Sequence, residues 1–195
     1  MKQLAILFFI TFSLFSCKEN KEEAQAVLSE SNGKINNVSI IIDDNLWNGE
    51  IGDSIRKKFA APVDGLPQEE PLFTLNQYPT KVFEGFVRKS RNIIIVKKDT
   101  KTGFSSNNNV YAKPQNVFLV SGKTTEDVLK VLEEKSAEII KTVKSTEIIE
   151  NQLRMKKSLV SDDKVQKMFG VSLEIGFGFK YDMVKDNFIW LRKEF

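Results

Sequence analysis

The chain contains one cysteine, Cys17, and no histidine, and these two facts constrain its fold and chemistry more than any other feature. No disulfide can form within the chain, so stability must come from buried apolar surface and not from a covalent staple. Zinc sites built on imidazole or thiolate, Ser-His-Asp triads and Cys-His dyads each need a residue type absent beyond position 17. Any chemistry has to be assembled from Asp, Glu, Lys, Tyr, Ser and Thr. With 41% hydrophobic and 28% charged residues, the composition is that of an ordinary globular domain.

The position of Cys17 suggests a separate use for its sulfur. Lys2 supplies a positive charge, Leu4 to Phe15 form an apolar run, and Ser16 places a small residue before the thiol. That run is shorter than the ~20 residues needed to span a bilayer, so residues 1–16 read as a secretory signal and not a transmembrane helix. Leu14-Phe15-Ser16-Cys17 resembles the bacterial lipobox, where a peptidase cuts before a cysteine that carries a diacylglyceryl group. The resemblance implies lipid attachment at Cys17. Two or three acyl chains, at ~0.8 kcal/mol per buried methylene, make a stable anchor. The expected location is the Gram-negative cell envelope, at the outer membrane, facing the periplasm or the cell surface. The alternative, an ordinary secreted protein, leaves a lone thiol without a partner.

Removing 16 of the 195 residues leaves 179, enough for one domain with a substantial core. The 29 basic and 26 acidic residues are interspersed, which favours solubility and makes nucleic acid an unexpected partner. Residues 17–34 are polar and poor in aromatics, and read as a lipidated N-terminus followed by a flexible tether. The cluster Lys18, Glu19, Lys21, Glu22 and Glu23 fits either a solvated spacer or a sorting signal.

A folded domain is expected over 35–195. Asn37 to Asp43 is β-branched and predicts a strand. Trp47, Ile51, Ile55 and Phe59 recur every four residues on one helical face. Residues 62–71 hold three prolines and form a stiff loop. Strands follow at 72–78, 91–97 and 116–121, the second apolar enough to be central, while 97–109 reads as a polar turn region. Thr124 or Thr125 caps a helix reaching about Lys156, expected to project or break near Ser145. A short helix from Asp162 to Phe169 ends at Gly170, and 171–183 pairs with 187–192.

Three groups invite a functional reading. Val120-Ser-Gly-Lys-Thr-Thr125 follows a strand and opens a helix, but the glycine a Walker loop needs five positions before Gly122 is replaced by Val117, so a capped turn is expected and not a nucleotide site. Carboxylates cluster at Asp43, Asp44, Glu50 and Asp53, and again at Asp64, Glu69 and Glu70. They fit helix caps and a solvated loop better than a calcium site or a glycan-cleaving pair. Phe177, Phe179, Tyr181 and Met183 alternate on one strand face, and such a row reads as core more readily than as a sugar-stacking ladder.

Asp43 to Arg56, Gly65 to Phe73, Asn76-Gln-Tyr-Pro79, Ser90 to Ile94 and Phe188-Ile-Trp-Leu-Arg192 together resemble an uncharacterised lipoprotein family of Bacteroidota-type bacteria, a domain of unknown function. The resemblance implies no catalytic residues. Members continue beyond the tryptophan strand, which raises the expectation that residues 1–195 are an incomplete chain whose last hairpin lacks partner strands. The fold expected is α+β: an antiparallel or mixed sheet of about five strands with two main helices on one face, in a ferredoxin-like order. The function expected is a membrane-anchored, non-enzymatic binding or assembly component with an envelope protein or glycan as partner. No cofactor or metal is expected. The alternative is a carboxylate-dependent glycan hydrolase.

Overall fold

A computed structural model of the protein describes residues 28–194; the expected signal sequence, Cys17 and most of the expected tether lie outside them. The chain is α+β, with a five-stranded mixed sheet in the order β2-β1-β3-β5-β4. Its strands are β1 (Asn37–Ile41), β2 (Thr74–Tyr78), β3 (Asn92–Lys98), β4 (Gly103–Asn108) and β5 (Asn116–Gly122). β1 runs parallel to β2 and β3, β3 runs parallel to β5, and β4 alone is antiparallel, paired with β5 at the sheet edge. The antiparallel alternative and the ferredoxin-like order are therefore corrected. Strands joined through helical connections lie parallel, and the chain reverses direction only at the short connections into and out of β4.

Parallel strands are buried on both faces, and alternation divides their side chains between two layers. Val38, Ile40 and Ile42, Ile94 and Val96, and Phe118 and Val120 face helices α2 (Glu50–Phe59) and α4 (Thr125–Lys156). Ile41, Ile93 and Val117 face the other way, beneath Tyr78, Phe83, Val87 and Tyr111. That second layer is carried by a short helical turn at Thr80–Val82, by α3 (Gly85–Arg88) and by the loop before β5. The Gln115 amide pins the loop, donating to the carbonyls of Arg88 and Ser90 at 2.7 and 2.8 Å.

The four-residue spacing from Trp47 to Phe59 is split between two helices, α1 (Asp44–Trp47) and α2. A Cβ on Gly52 would lie 1.8 Å from the Trp47 carbonyl oxygen, so the first turn of α2 sits directly against the end of α1. Arg56 closes the corner, donating to the same carbonyl at 3.2 Å and stacking over the Trp47 ring.

Four further expectations are corrected. The turn region over 97–109 contains β4, a strand whose Ser and Asn side chains face solvent while its backbone pairs with β5. Of the two outcomes expected for the end of α4, the break near Ser145 is not found: the helix runs its full 32 residues, with Val143 and Glu147 buried and residues 151–157 exposed beyond them. The end of the tether is pinned: Ser31 N–H donates to the Lys113 carbonyl, Lys113 N–H to Ser29 and Asn32 N–H to Lys89. The aromatic row does not form a core, since Phe177 is 78% exposed and a bulge at Asp182 moves Met183 out of register with Tyr181.

Beyond α4 the chain makes β6 (Leu159–Val160), α5 (Asp163–Phe169), β7 (Ile175–Gly176) and the hairpin of β8 (Phe179–Lys185) and β9 (Phe188–Lys193). Among the described residues of this unit, only Val165 and Ile175 are buried hydrophobics. It meets the end of α4 where Gly176 packs on Met155 and Lys156 pairs with Glu174 at 3.0 Å.

Candidate functional site

In open sheets with parallel strands, ligands bind outside the carboxyl ends of neighbouring strands whose chains leave in opposite directions. Here those strands are β1 and β3. The chain leaves β1 toward β2 on one side of the sheet, and leaves β3 toward β4 and β5 on the other. At this point lies a cleft of about 400 Å³ lined by Asn45, Leu46, Gly49, Glu50 and Ile51 after β1, Lys98 at the end of β3, and Thr125 and Glu126 at the start of α4.

Local structure holds the rim in place. Asp43 accepts from the Thr80 amide at 3.2 Å, and Asp44 accepts from the Gln77 side-chain amide at 2.9 Å, so both tie the β1 exit to the β2 exit. On the far side Thr124 caps α4: its hydroxyl accepts from Asp127 N–H at 3.1 Å while the Asp127 carboxylate accepts from Thr124 N–H at 3.2 Å, a reciprocal box. The glycine before it is a packing requirement, since a Cβ on Gly122 would lie 2.7 Å from both Asp127 Cβ and Val128 N. Val120-Ser-Gly-Lys-Thr-Thr125 is thus a capped strand-to-helix turn in close contact.

The electrostatics favour ionised acceptors. Glu126 lies below its ordinary value, first through a bond from its own amide, then through the Thr124 hydroxyl and the nearby Lys98 charge. Asp127 is lowered chiefly by the Thr124 amide. Asp99, Glu133 and Asp162 are also lowered, in each case first by a side-chain hydrogen bond, from Lys97, Lys58 and Ser172 respectively. The rim therefore offers carboxylates, one ammonium, an amide and a hydroxyl, which suit hydrogen bonding to a polar ligand.

The other acidic residues do not converge here. Asp53 pairs with Arg56 at 2.7 Å on the surface of α2, and Asp64, Glu69 and Glu70 lie in the exposed loop before β2. Among the described residues, no three acids are placed to hold a metal ion, and no helix is long and apolar enough to cross a membrane. Cys17 lies outside the described residues. Sequence reasoning singled out Glu50 and Thr125 but missed Asn45, Lys98 and Glu126 as site residues. Only the parallel pairing of β1, β3 and β5 brings them to one edge.

The opposite, amino edge holds a buried ionic network. Arg91 and Glu147 are each 2% exposed, and Arg91 Nε donates to Glu147 at 2.6 Å. Glu147 also accepts from Asn92 at 2.6 Å and from the Asn36 amide at 2.7 Å, while Arg91 donates to the Lys34 carbonyl at 2.9 Å. Every strong donor has an acceptor, which marks the cluster as architectural.

A family model described as a domain of unknown function, DUF8532, matches residues 31–156. The chain belongs to this family. The DUF8532 match begins in the pinned N-terminal segment and ends at the last residue of α4. It includes the whole sheet, both edges and the cleft, and excludes the unit carrying β6 to β9. No curated protein and no solved structure matches the chain.

Proposed function

We propose that the protein is a lipoprotein of the bacterial cell envelope, acylated at Cys17 and held at the outer membrane, whose DUF8532 domain binds an envelope glycan or protein without transforming it. The resemblance of Leu14-Phe15-Ser16-Cys17 to a lipobox supports the anchor, as does the wider resemblance to Bacteroidota-type lipoproteins. The observation that carries the binding reading is the polar cleft at the carboxyl ends of β1 and β3. Its rim sets ammonium, amide and hydroxyl donors beside carboxylate acceptors, the chemistry that recognises hydroxyl and amide groups. A glycan hydrolase would need one carboxyl raised so that it stays protonated as a general acid, whereas the shifted carboxylates at this site, Glu126 and Asp127, move the opposite way.

A photo-crosslinking residue at position 125, introduced in intact cells and followed by mass spectrometry, tests the reading. A discrete envelope component should be captured. Lys98→Glu should reduce that capture at least tenfold, and Cys17→Ala should release the protein from the membrane fraction. Glycan cleavage by the purified protein would reverse the assignment, as would capture that ignores Lys98→Glu.

A further inference from the structure

We propose that a small cavity at the amino edge of β1 and β2, on the sheet face away from α2 and α4, is a subsite for one neutral sugar residue. The inference does not depend on the reading of the carboxyl-edge cleft, and it adds a point of recognition at the opposite end of the strands. The cavity holds about 50 Å³ and is lined by Asn32, Asn37, Ser39, Asn76, Tyr78 and Phe86. Parallel pairing assembles it, since Ser39 lies beside Asn76 and Ile41 beside Tyr78, and residues two apart along a strand share a face. Asn37, Ser39, Asn76 and Tyr78 therefore project to the side that carries Phe83 and Val87.

The frame is fixed before any ligand arrives. Ser39 Oγ donates to Ser90 Oγ at 2.9 Å, and both residues are buried. Asn32 Nδ2 donates to the Phe86 carbonyl at 2.9 Å, and Arg91 N–H donates to the Asn32 carbonyl at 3.0 Å. A preformed site loses little ordering entropy when it is filled. Arg91 also supplies the one charged side chain of the lining, and its guanidinium is committed to Glu147 and the Lys34 carbonyl. No free charge is left to pair with an ionic ligand.

What stays open is neutral and polar. Among the described residues, nothing bonds the side-chain amides of Asn37 and Asn76 or the Tyr78 hydroxyl, and no unpartnered side-chain nitrogen or oxygen is buried away from solvent. Each amide offers two N–H donors and a carbonyl acceptor. Phe86 lines the same cavity and is 70% exposed, whereas Phe83 and Tyr78 of the same layer pack on the core. A pyranose carries C–H groups on its faces and hydroxyl or acetamido groups at its rim, so an aromatic ring beside free amides meets both halves of its chemistry. The volume suits one rim substituent and not a whole sugar, given that a water molecule takes ~30 Å³ in the liquid. The substituent enters the cavity and the pyranose lies outside it, against Phe86. No carboxyl lines the cavity, so the subsite holds a sugar without cleaving it.

The test follows the nuclear magnetic resonances of the isotopically labelled protein while cellobiose, lactose, mannobiose and chitobiose are added separately at millimolar concentration. At least one should shift the Asn37 and Asn76 side-chain amides and the Phe86 ring, saturably and with one affinity. Phe86→Ala should weaken that affinity at least fivefold and Phe86→Tyr should retain it, and the exposure of the ring spares the fold in both variants. Asn76→Leu should weaken it independently. Shifts absent with all four disaccharides would overturn the proposal, as would an affinity that ignores Phe86→Ala. Shifts confined to residues 45–51 and 125–126 would place the sugar in the cleft and leave the subsite refuted. A Gly-Asn-Gly peptide with blocked ends that binds more tightly at the same resonances would assign the cavity to polypeptide, and would also overturn the proposal.

Discussion

At the scale of single residues, the Arg91–Glu147 pair does the most to tie distant parts of the chain together. Glu147 gathers Arg91, Asn92 and the Asn36 amide, which links α4 to β3 and to the residue before β1. Removing one member strands the other charge out of water, so Glu147→Ala is expected to destabilise the fold by about 3–5 kcal/mol. Urea denaturation measures this. The double variant Arg91→Met with Glu147→Leu is expected to lose less than the sum of the two single changes, because neither charge is then orphaned. This pair was not legible in the sequence. Glu147 sits in a stretch of α4 that is mostly polar, and nothing local distinguishes it from the exposed glutamates around it. Its burial is set by β3 lying across the helix, a contact between positions far apart in the chain.

At the scale of elements, legibility followed how much of each element's stability is local. The start of α4 could be read to within a residue because its cap, an acidic first turn and an apolar stripe are written locally, while its course past Ser145 could not. Thr124→Ala is expected to lose about 1 kcal/mol, the usual cost of an N-cap. Asp127 adds a pH dependence of defined sign. Its carboxyl is lowered in the fold by the Thr124 amide, so its stabilisation is complete above the unfolded value near ~3.9 and is lost as pH falls through the folded value. The difference in thermal midpoint between the wild type and Asp127→Asn should shrink as melts are taken from pH 6 toward pH 3. A gap that stays constant across that range would assign the box to shape and not to charge. β4 was hidden for the opposite reason. Gly103-Phe-Ser-Ser-Asn-Asn108 has one apolar side chain, and its strand state comes from the backbone ladder supplied by β5. The aromatic row of the hairpin misled because alternation reports two faces and not which of them is covered, and a single bulge at Asp182 then exchanged them.

At the scale of the molecule, the apolar strands were readable and their direction was not, since a continuous apolar run such as Ile93 to Val96 marks burial on both faces without naming its neighbours. The cleft inherits that difficulty, because its lining is assembled only when β1, β3 and β5 point the same way. The unit beyond α4 is a lesser partner in stability. Its hydrophobic residues are mostly exposed and its seam with the rest is the end of α4. A chain ending at Lys157 is therefore expected to melt within a few degrees of the full protein, and circular dichroism would show the sheet and helices retained. A loss of cooperative unfolding would mean that β6 to β9 help to hold the sheet. The backbone bonds joining Ser29 to Asn32 with Lys89 and Lys113 give the molecule a definite route for mechanical load. Tension applied to the chain ahead of Leu28 is carried as shear along that short seam and passes into β3, β5 and α4 together, so the domain resists a pull at that end as one body before any strand peels.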